Sequence, residues 1–478
     1  MKPAFPFRRS LTLSLIVTAA ACGSNSDGPV VPPPPNCQTQ ACTANITTDI
    51  TSNRTLYADT TYTLSGFIHV TNGATLTIQP GTKIVGDFEV PGSSLFILPG
   101  GKLNAAGTSD KPIVFTSEKT SGRQAGDWGG LIIIGKGIIN KSGSPIIEGT
   151  GNSSANPQLT YGGGTDNADN SGTLSYVRVE FAGYATAPDQ ELNSFTLAAV
   201  GRGTQLSFLQ ALYGLDDAFE FFGGAADAKN LVSYETGDDH FDISEGYVGR
   251  MQYLIAFQSI VPTARPAAGG ASGDPQGIEN DNCDGAGCTA GKNSLPRTDP
   301  LMANFTLVGT GTGVVDATSG GIGMMLRRGT AGSYVNGVVA RWPRAAISLR
   351  DAETVAQADA GTLVLKNLYL VQNGATFQPQ SGSTVQGSVD LASNNIEVAA
   401  SGTTAASVFT ALPASPTAAS QLDWSLATGA APRTGGTGAF TGALATKAGA
   451  VVTGTTYRGA ADPAGAKWWA GWTNYARN

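Results

Sequence analysis

A parallel β-helix is the fold class this sequence predicts, and three observations carry it. First, short β-branched runs such as Gly66-Phe67-Ile68-His69-Val70, Ala74-Thr75-Leu76-Thr77-Ile78 and Thr82-Lys83-Ile84-Val85 are broken by glycine, asparagine and aspartate. That is the period-two pattern of strands between turns. Second, GATLTIQPGTKIVGD is echoed by SSLFILPGGKLNAAGTSDKPIVFTS, an imperfect repeat of roughly 20–27 residues that suits a solenoid of stacked rungs. Third, DDAFEFFGG begins at Asp216 and DDHFDISEG begins at Asp238, 22 residues later, with AKNLVSYETG supplying a further strand between them. Equivalent residues one rung apart then stand about 4.8 Å from each other. From Thr47 onwards no amphipathic helix is expected.

Composition limits the chemistry. The 478 residues carry a net charge of −7, with only 14% charged side chains, and this weak acidity argues against a general nucleic-acid binder, which carries a basic patch to neutralise phosphates. The 63 glycines follow no Gly-X-Y period, which excludes collagen, and 41% hydrophobic residues exclude a wholly disordered chain. With two histidines, His69 and His240, a multi-histidine metal site is excluded. Carboxylates must therefore carry most of the chemistry.

The N-terminus reads as an export signal. Lys2, Arg8 and Arg9 precede an apolar stretch from Leu11 to Val17, then Ala19-Ala20-Ala21-Cys22. Small residues before a cysteine resemble the lipobox of bacterial lipoproteins, although Ala19 stands where leucine is usual, and Gly23 resembles sorting to the outer membrane. Residues 1–21 are the expected signal peptide, with Cys22 lipidated. Residues 22–46 form a tether whose run Pro32-Pro33-Pro34-Pro35 favours extended polyproline II. The remaining cysteines fall as Cys37-x4-Cys42 and Cys283-x4-Cys288. In an oxidising compartment, local Cys37–Cys42 and Cys283–Cys288 disulfides are the simplest pairing, a zinc site being the alternative.

Residues 47–478 are read as one β-helix domain. The segment 399–459, rich in Ala, Thr, Ser and Gly, forms either late rungs or a surface loop region. Trp468, Trp469, Trp472 and Tyr475 form an aromatic cap over the open end of the solenoid, with sugar stacking the alternative.

The 22-residue repeat aligns two acidic strings. Asp217 stacks on Asp239 and Glu220 on Asp242, with Asp216 and Asp238 beside them. Like charges at that spacing repel by roughly 1 kcal/mol even in bulk water. A hard divalent cation with oxygen ligands neutralises such a ledge, and Ca²⁺ tolerates its irregular geometry. The expected metal ligands are Asp217, Asp238, Asp239, Asp242 and Glu220. The competing reading is a hydrated turn in which the aspartates bond their own backbone. His240 lies among these acids on what reads as an outward, solvated turn, and His69 is structural.

WGGLIIIGKG at 128–137, YGGGTDNADNSGTLSYVRVEFAG at 161–183, GDDHFDISEGYVGRMQY at 237–253 and the closing KWWAGWTNY resemble bacterial surface lipoproteins with a pectin-lyase-like, right-handed β-helix. The string Asp238-Asp239-His240-Phe241-Asp242 also resembles the DDxxD calcium element of family 9 pectate lyases, with Asp217 or Asp216 as the partner from the preceding rung. Those enzymes use a lysine on a following rung as base. Here the comparable segment, GIENDN, offers Glu279 and Asp281 instead. Arg327 and Arg328, at the strand-to-turn position matching Ser244-Glu245-Gly246, are the substitute base candidates, or else a pair balancing nearby acids.

The expected function is that of an outer-membrane lipoprotein, exposed at the cell surface and held by its lipid anchor. On this reading the ledge is calcium-stabilised, and the protein binds or scaffolds a glycan, an acidic polysaccharide among the options, or an outer-membrane protein. The alternatives are a calcium-dependent uronate lyase acting by β-elimination and a structural adhesin or spacer.

Overall fold

The computed structural model describes Met1 and residues 42–477, apart from 273–274, 316–319 and 379–386. The expected signal peptide, most of the tether, Cys22 and Cys37 lie outside the described residues.

The repeats fold as rungs. One sheet has nine parallel strands, including Leu131–Ile134, Phe195–Ala198, Phe219–Phe222, Phe241–Ser244, Ile278–Asp281 and Ile322–Arg327 in spatial sequence. The 22-residue spacing is realised directly, since Phe219 pairs with Phe241 and Glu220 with Asp242. Inward rings stack as a column, Phe195 on Phe219 at 4.8 Å and Phe219 on Phe241 at 5.5 Å. They belong to one continuous core with Leu197, Leu231, Ile243 and Leu254.

The second, 15-stranded sheet forms the other walls. In early rungs it is made of separate strands, Thr75–Ile78 and Lys83–Gly86 for example. From Gly172–Glu180 onward a single long strand serves each rung and bends midway. The bend falls on Tyr176, Phe208, Asn230, Tyr253, Asn304, Asn336 and Asn367, all with φ between 49° and 66°. Asparagine tolerates this left-handed backbone better than most residues. Its amides also bond from rung to rung, Asn367 Nδ2 to Asn336 Oδ1 at 3.3 Å and Asn395 Nδ2 to Asn367 Oδ1 at 2.9 Å.

Among the described residues two short helices occur, Ala352–Asp359 and Gly442–Ala448. The first is started by Asp351, whose side chain accepts from the Thr354 amide, and both are too short to display an amphipathic period. The segment 399–459 contains an antiparallel pair, Phe409–Ala411 with Asp423–Leu426, rather than further parallel rungs. Finally, the aromatic terminus does not cap the end of the solenoid. It lies across the outer face of the long sheet, where Arg178 Nη1 donates to the Trp472 carbonyl at 2.8 Å and Gln210 Nε2 to the Asn474 carbonyl at 2.6 Å. That face is apolar, with Val232, Tyr234, Ile255, Phe257 and Val338 pointing outward into the layer holding Trp424, Trp469, Trp472 and Tyr475. Covering it removes that apolar surface from water.

The Cys283–Cys288 disulfide forms as expected, with Cα atoms 5.9 Å apart. Because its loop is small, replacing both cysteines by serine should cost no more than about 2 kcal/mol by loop-closure entropy. Denaturant melts of the double variant test this.

Candidate functional site: an acidic ledge on the nine-stranded sheet

Strand register sets an outward column of Thr196, Glu220, Asp242 and Glu279. The corner before each strand adds Asp216 and Asp217 in one rung and Asp238 and Asp239 in the next. The resulting carboxylates converge in three overlapping groups: Asp216, Asp217 and Asp238; Asp217, Glu220 and Asp242; and Asp239, Asp242 and Glu279. Within each group the oxygens lie within 4.8 Å of one another. All five sequence-expected ligands are thus brought together, and Glu279 joins them. Asp217, Glu220, Asp239 and Glu279 are buried, while Asp216, Asp238 and Asp242 are half-buried.

Backbone and amide groups hold part of this cluster. The Asp239 amide donates to Asp217 Oδ1 at 2.8 Å, the Gln276 amide to Asp239 Oδ1 at 2.6 Å, and the Asp217 amide to Asn193 Oδ1 at 3.1 Å. Asn193 Nδ2 donates to Glu220. These bonds orient the carboxylates but do not supply a full positive charge. Asp242 Oδ1 is buried with no hydrogen-bond partner, a costly position for an anion. Burial, reinforced by neighbouring acids, raises Asp216, Asp217, Glu220, Asp239 and Glu279 well above the ordinary carboxylate range and Asp242 to about 8.

The basic side chains stand at the edge of the ledge. Arg327 Nε bonds Asp281 Oδ1 at 2.8 Å and its Nη2 bonds Glu279, while Arg328 bonds Asp281 and reaches Asp284 Oδ2 at 3.2 Å. Burial alone would lower the Arg327 pKa, but Glu279 and Asp281 outweigh it and hold the guanidinium charged. That is the opposite of what a base requires, so the geometry fits the charge-balancing role. The expected equivalence with the Glu245 turn holds in the backbone. Arg328 and Glu245 have φ of 55° and 58°, and Gly329 and Gly246 follow with φ of 81° and 86°.

His240 is corrected. It is fully buried rather than solvated, with Nδ1 2.6 Å from Ser233 Oγ and its ring edge-on to Trp342 at 6.3 Å. Burial lowers its pKa to about 3, so it stays neutral. His69 is structural as expected, its Nδ1 lying 2.8 Å from Asp49 Oδ1.

Four site residues escape sequence reasoning. Glu148, Lys141 and Tyr161 arrive on the insertion 135–171, and Glu191 on the segment before Phe195–Ala198. Glu148 is raised to about 7 by burial and by Glu191 and Asp238. Lys141 Nζ pairs with Glu245 Oε1 at 2.6 Å, and the Tyr161 hydroxyl donates to Glu245 Oε2 at 2.7 Å. Tyr161 opens one of the family-like strings, but nothing local marks it, Lys141 or Glu148 as part of this site, because the insertion approaches rungs about a hundred residues later in the chain.

The donor set fits a hard divalent cation such as the calcium expected from the sequence. The ledge offers only oxygen ligands, several carboxylates converge, and Asp242 Oδ1 needs a partner. Among comparisons with known proteins, the family model of the pectate-lyase-like β-helix domain matches residues 48–421. No curated protein and no solved structure matches the chain.

Proposed function

The chain belongs to the pectate-lyase-like β-helix family, and on that premise we propose that it is a calcium-loaded glycan-binding protein of the cell surface. The observation that carries this is the unpartnered, buried Asp242 Oδ1 amid three overlapping carboxylate groups. Asp217, Asp238, Asp239 and Asp242 would hold the ion, with Glu220 beside them. Bound there, calcium supplies a hard positive centre for a sugar carboxylate. The protein's own part is to fix the oxygens and exclude water from the inner face of the ledge.

Binding is favoured over elimination because of Arg327. A lyase needs an uncharged base beside the metal, and the three cations at that edge are all ion-paired, Arg327 with Glu279 and Asp281, Arg328 with Asp281, and Lys141 with Glu245. Incubation with a panel of acidic polysaccharides, in calcium and in chelator, separates the two. Calcium-dependent retention without unsaturated product supports binding, and product absorbance appearing only with calcium would replace it by the lyase. Absence of both would leave the spacer role.

Anchoring at the outer membrane through acylated Cys22 belongs to the same proposal, supported by the charged and apolar residues before it. Cys22→Ala should move the protein from the membrane pellet to the soluble fraction. A variant still wholly pelleted would refute the anchor.

A further inference from the structure

The insertion 135–171 does more than decorate a turn. It runs over the outer face of the nine-stranded sheet and is bonded to later rungs there. The Asn140 amide donates to the Glu245 carbonyl at 2.9 Å, Asn140 Nδ2 to the Asn282 carbonyl at 3.0 Å, and the Ser142 amide to the Gly287 carbonyl at 2.9 Å. Between insertion and sheet lies a cavity of about 440 Å³, lined among others by Lys141, Ile146, Glu148, Tyr161, Phe222 and Glu245. A second cavity of about 280 Å³ shares Lys141, Phe222 and Glu245 and opens onto Glu220, Asp242 and Glu279 of the ledge. The two are therefore neighbouring compartments of one surface.

Their chemistries differ. The larger compartment has an aromatic wall, with Phe222 and Tyr161 5.4 Å apart and tilted by 38°, and an apolar rim at Ile146, which is 50% exposed. Its charged groups are Glu148, Glu245 and Lys141, and Lys141 is already paired with Glu245. A further carboxylate would be repelled here. An uncharged pyranose suits it, presenting C–H faces to the rings and hydroxyl donors to the two glutamates. Glu220 and Phe222 project from one strand face two residues apart, about 7 Å along it, so consecutive units of one chain can address both compartments.

We propose that the cavity under the insertion is a subsite for an uncharged sugar, adjoining the calcium ledge, so that the ligand is a heteropolysaccharide alternating uronate with neutral units rather than a pure polyuronate. The pairing with a uronate rests on the function proposed above, whereas the neutral subsite stands on its own cavity.

Calorimetric titration of the full chain with four probes tests this: a hyaluronan octasaccharide, octagalacturonate, cellohexaose and N-acetylglucosamine hexaose. The expected result is at least tenfold tighter binding of the alternating octasaccharide than of octagalacturonate in calcium. At least one neutral hexaose should also bind equally in calcium and in chelator. Phe222→Leu and Ile146→Ser should each weaken the alternating and neutral probes at least fivefold. Ile146 is exposed, so its variant keeps the test valid should Phe222→Leu fail to fold. Octagalacturonate binding as tightly as the alternating probe, with Ile146→Ser without effect, would overturn the subsite and leave the ledge intact. Neutral binding that survives while every calcium effect is absent would overturn the ledge and its uronate but keep the subsite. Failure of all neutral and alternating probes overturns the proposal.

Discussion

Removing divalent cations should lower the melting temperature of the wild-type protein by about 3 °C, and Asp242→Ala should abolish the difference. A ligand that binds only the folded state adds about 2.7 kcal/mol when present at a hundredfold excess over its Kd. A folded body of more than four hundred residues, at ~2.1 cal/mol/K of unfolding entropy per residue, converts that into about 3 °C. Asp242 is the better probe than Asp239, because Asp239 also accepts the Gln276 amide and its loss would disturb the turn directly. The same variant should lose calcium measured by elemental analysis. A wild type that melts identically in calcium and chelator, and carries no metal, would make the ledge a hydrated acidic turn.

The metal-free protein should also respond to pH in a direction opposite to ordinary acid denaturation. Burial raises Asp242 from 3.8 to about 8 and Glu148 from 4.5 to about 7, and Asp216, Asp217, Glu220 and Asp239 move the same way. Between the unfolded and folded values the native state binds more protons than the unfolded chain, so stability falls as pH rises. The contribution of these groups is complete below about pH 4 and is lost as pH passes through about 7 to 8. Chelated protein should thus melt higher near pH 5.5 than near pH 8.5. Calcium should narrow that gap, since it replaces the protons that otherwise neutralise the ledge. Equal midpoints at both pH values in chelator would mean that water, not protein, surrounds these carboxylates.

What could be read in advance follows from how far apart the interacting residues are. The rungs were legible because a 22-residue repeat places Phe219 on Phe241 and Glu220 on Asp242 by strand register alone. The same register exposed the ledge, one rung being enough to stack like charges. The sequence places Arg327 at the turn matching Glu245, whereas its ion pairs with Glu279 and Asp281 join side chains 48 and 46 residues apart that no local motif links. The acidic neighbours of His240 suggest a solvated turn, whereas the backbone at this corner directs its ring inward to Ser233 and Trp342. Glu148, Lys141 and Tyr161 were invisible as site residues, since only the path of a long insertion brings them to the ledge. The tryptophan cluster of the terminus suggests a cap because it shows that something apolar is covered. It does not show which face that is.

That face gives the largest single-residue effect expected in this protein. Trp472 is fully buried, its ring edge-on to Tyr176 at 5.6 Å and Phe208 at 6.2 Å, and its carbonyl accepts from Arg178. Tyr475 and Arg477 anchor the same segment on Glu235, which is buried and also accepts from the Ser259 amide at 2.8 Å. Trp472→Ala should therefore cost about 3–5 kcal/mol, the usual range for truncating a buried large aromatic, read as a lowered denaturant midpoint. Where the loss is felt distinguishes a lateral cover from an end cap. Tyr176 and Phe208 lie on the strands Gly172–Glu180 and Gln205–Leu212, in the middle of the long sheet. Amide exchange should rise along those two strands, while Leu363–Val371 near the C-terminal end of the sheet keeps its protection. Exchange rising only at Leu363–Val371 would restore the end cap. Unchanged stability would show that the long sheet does not need its aromatic cover.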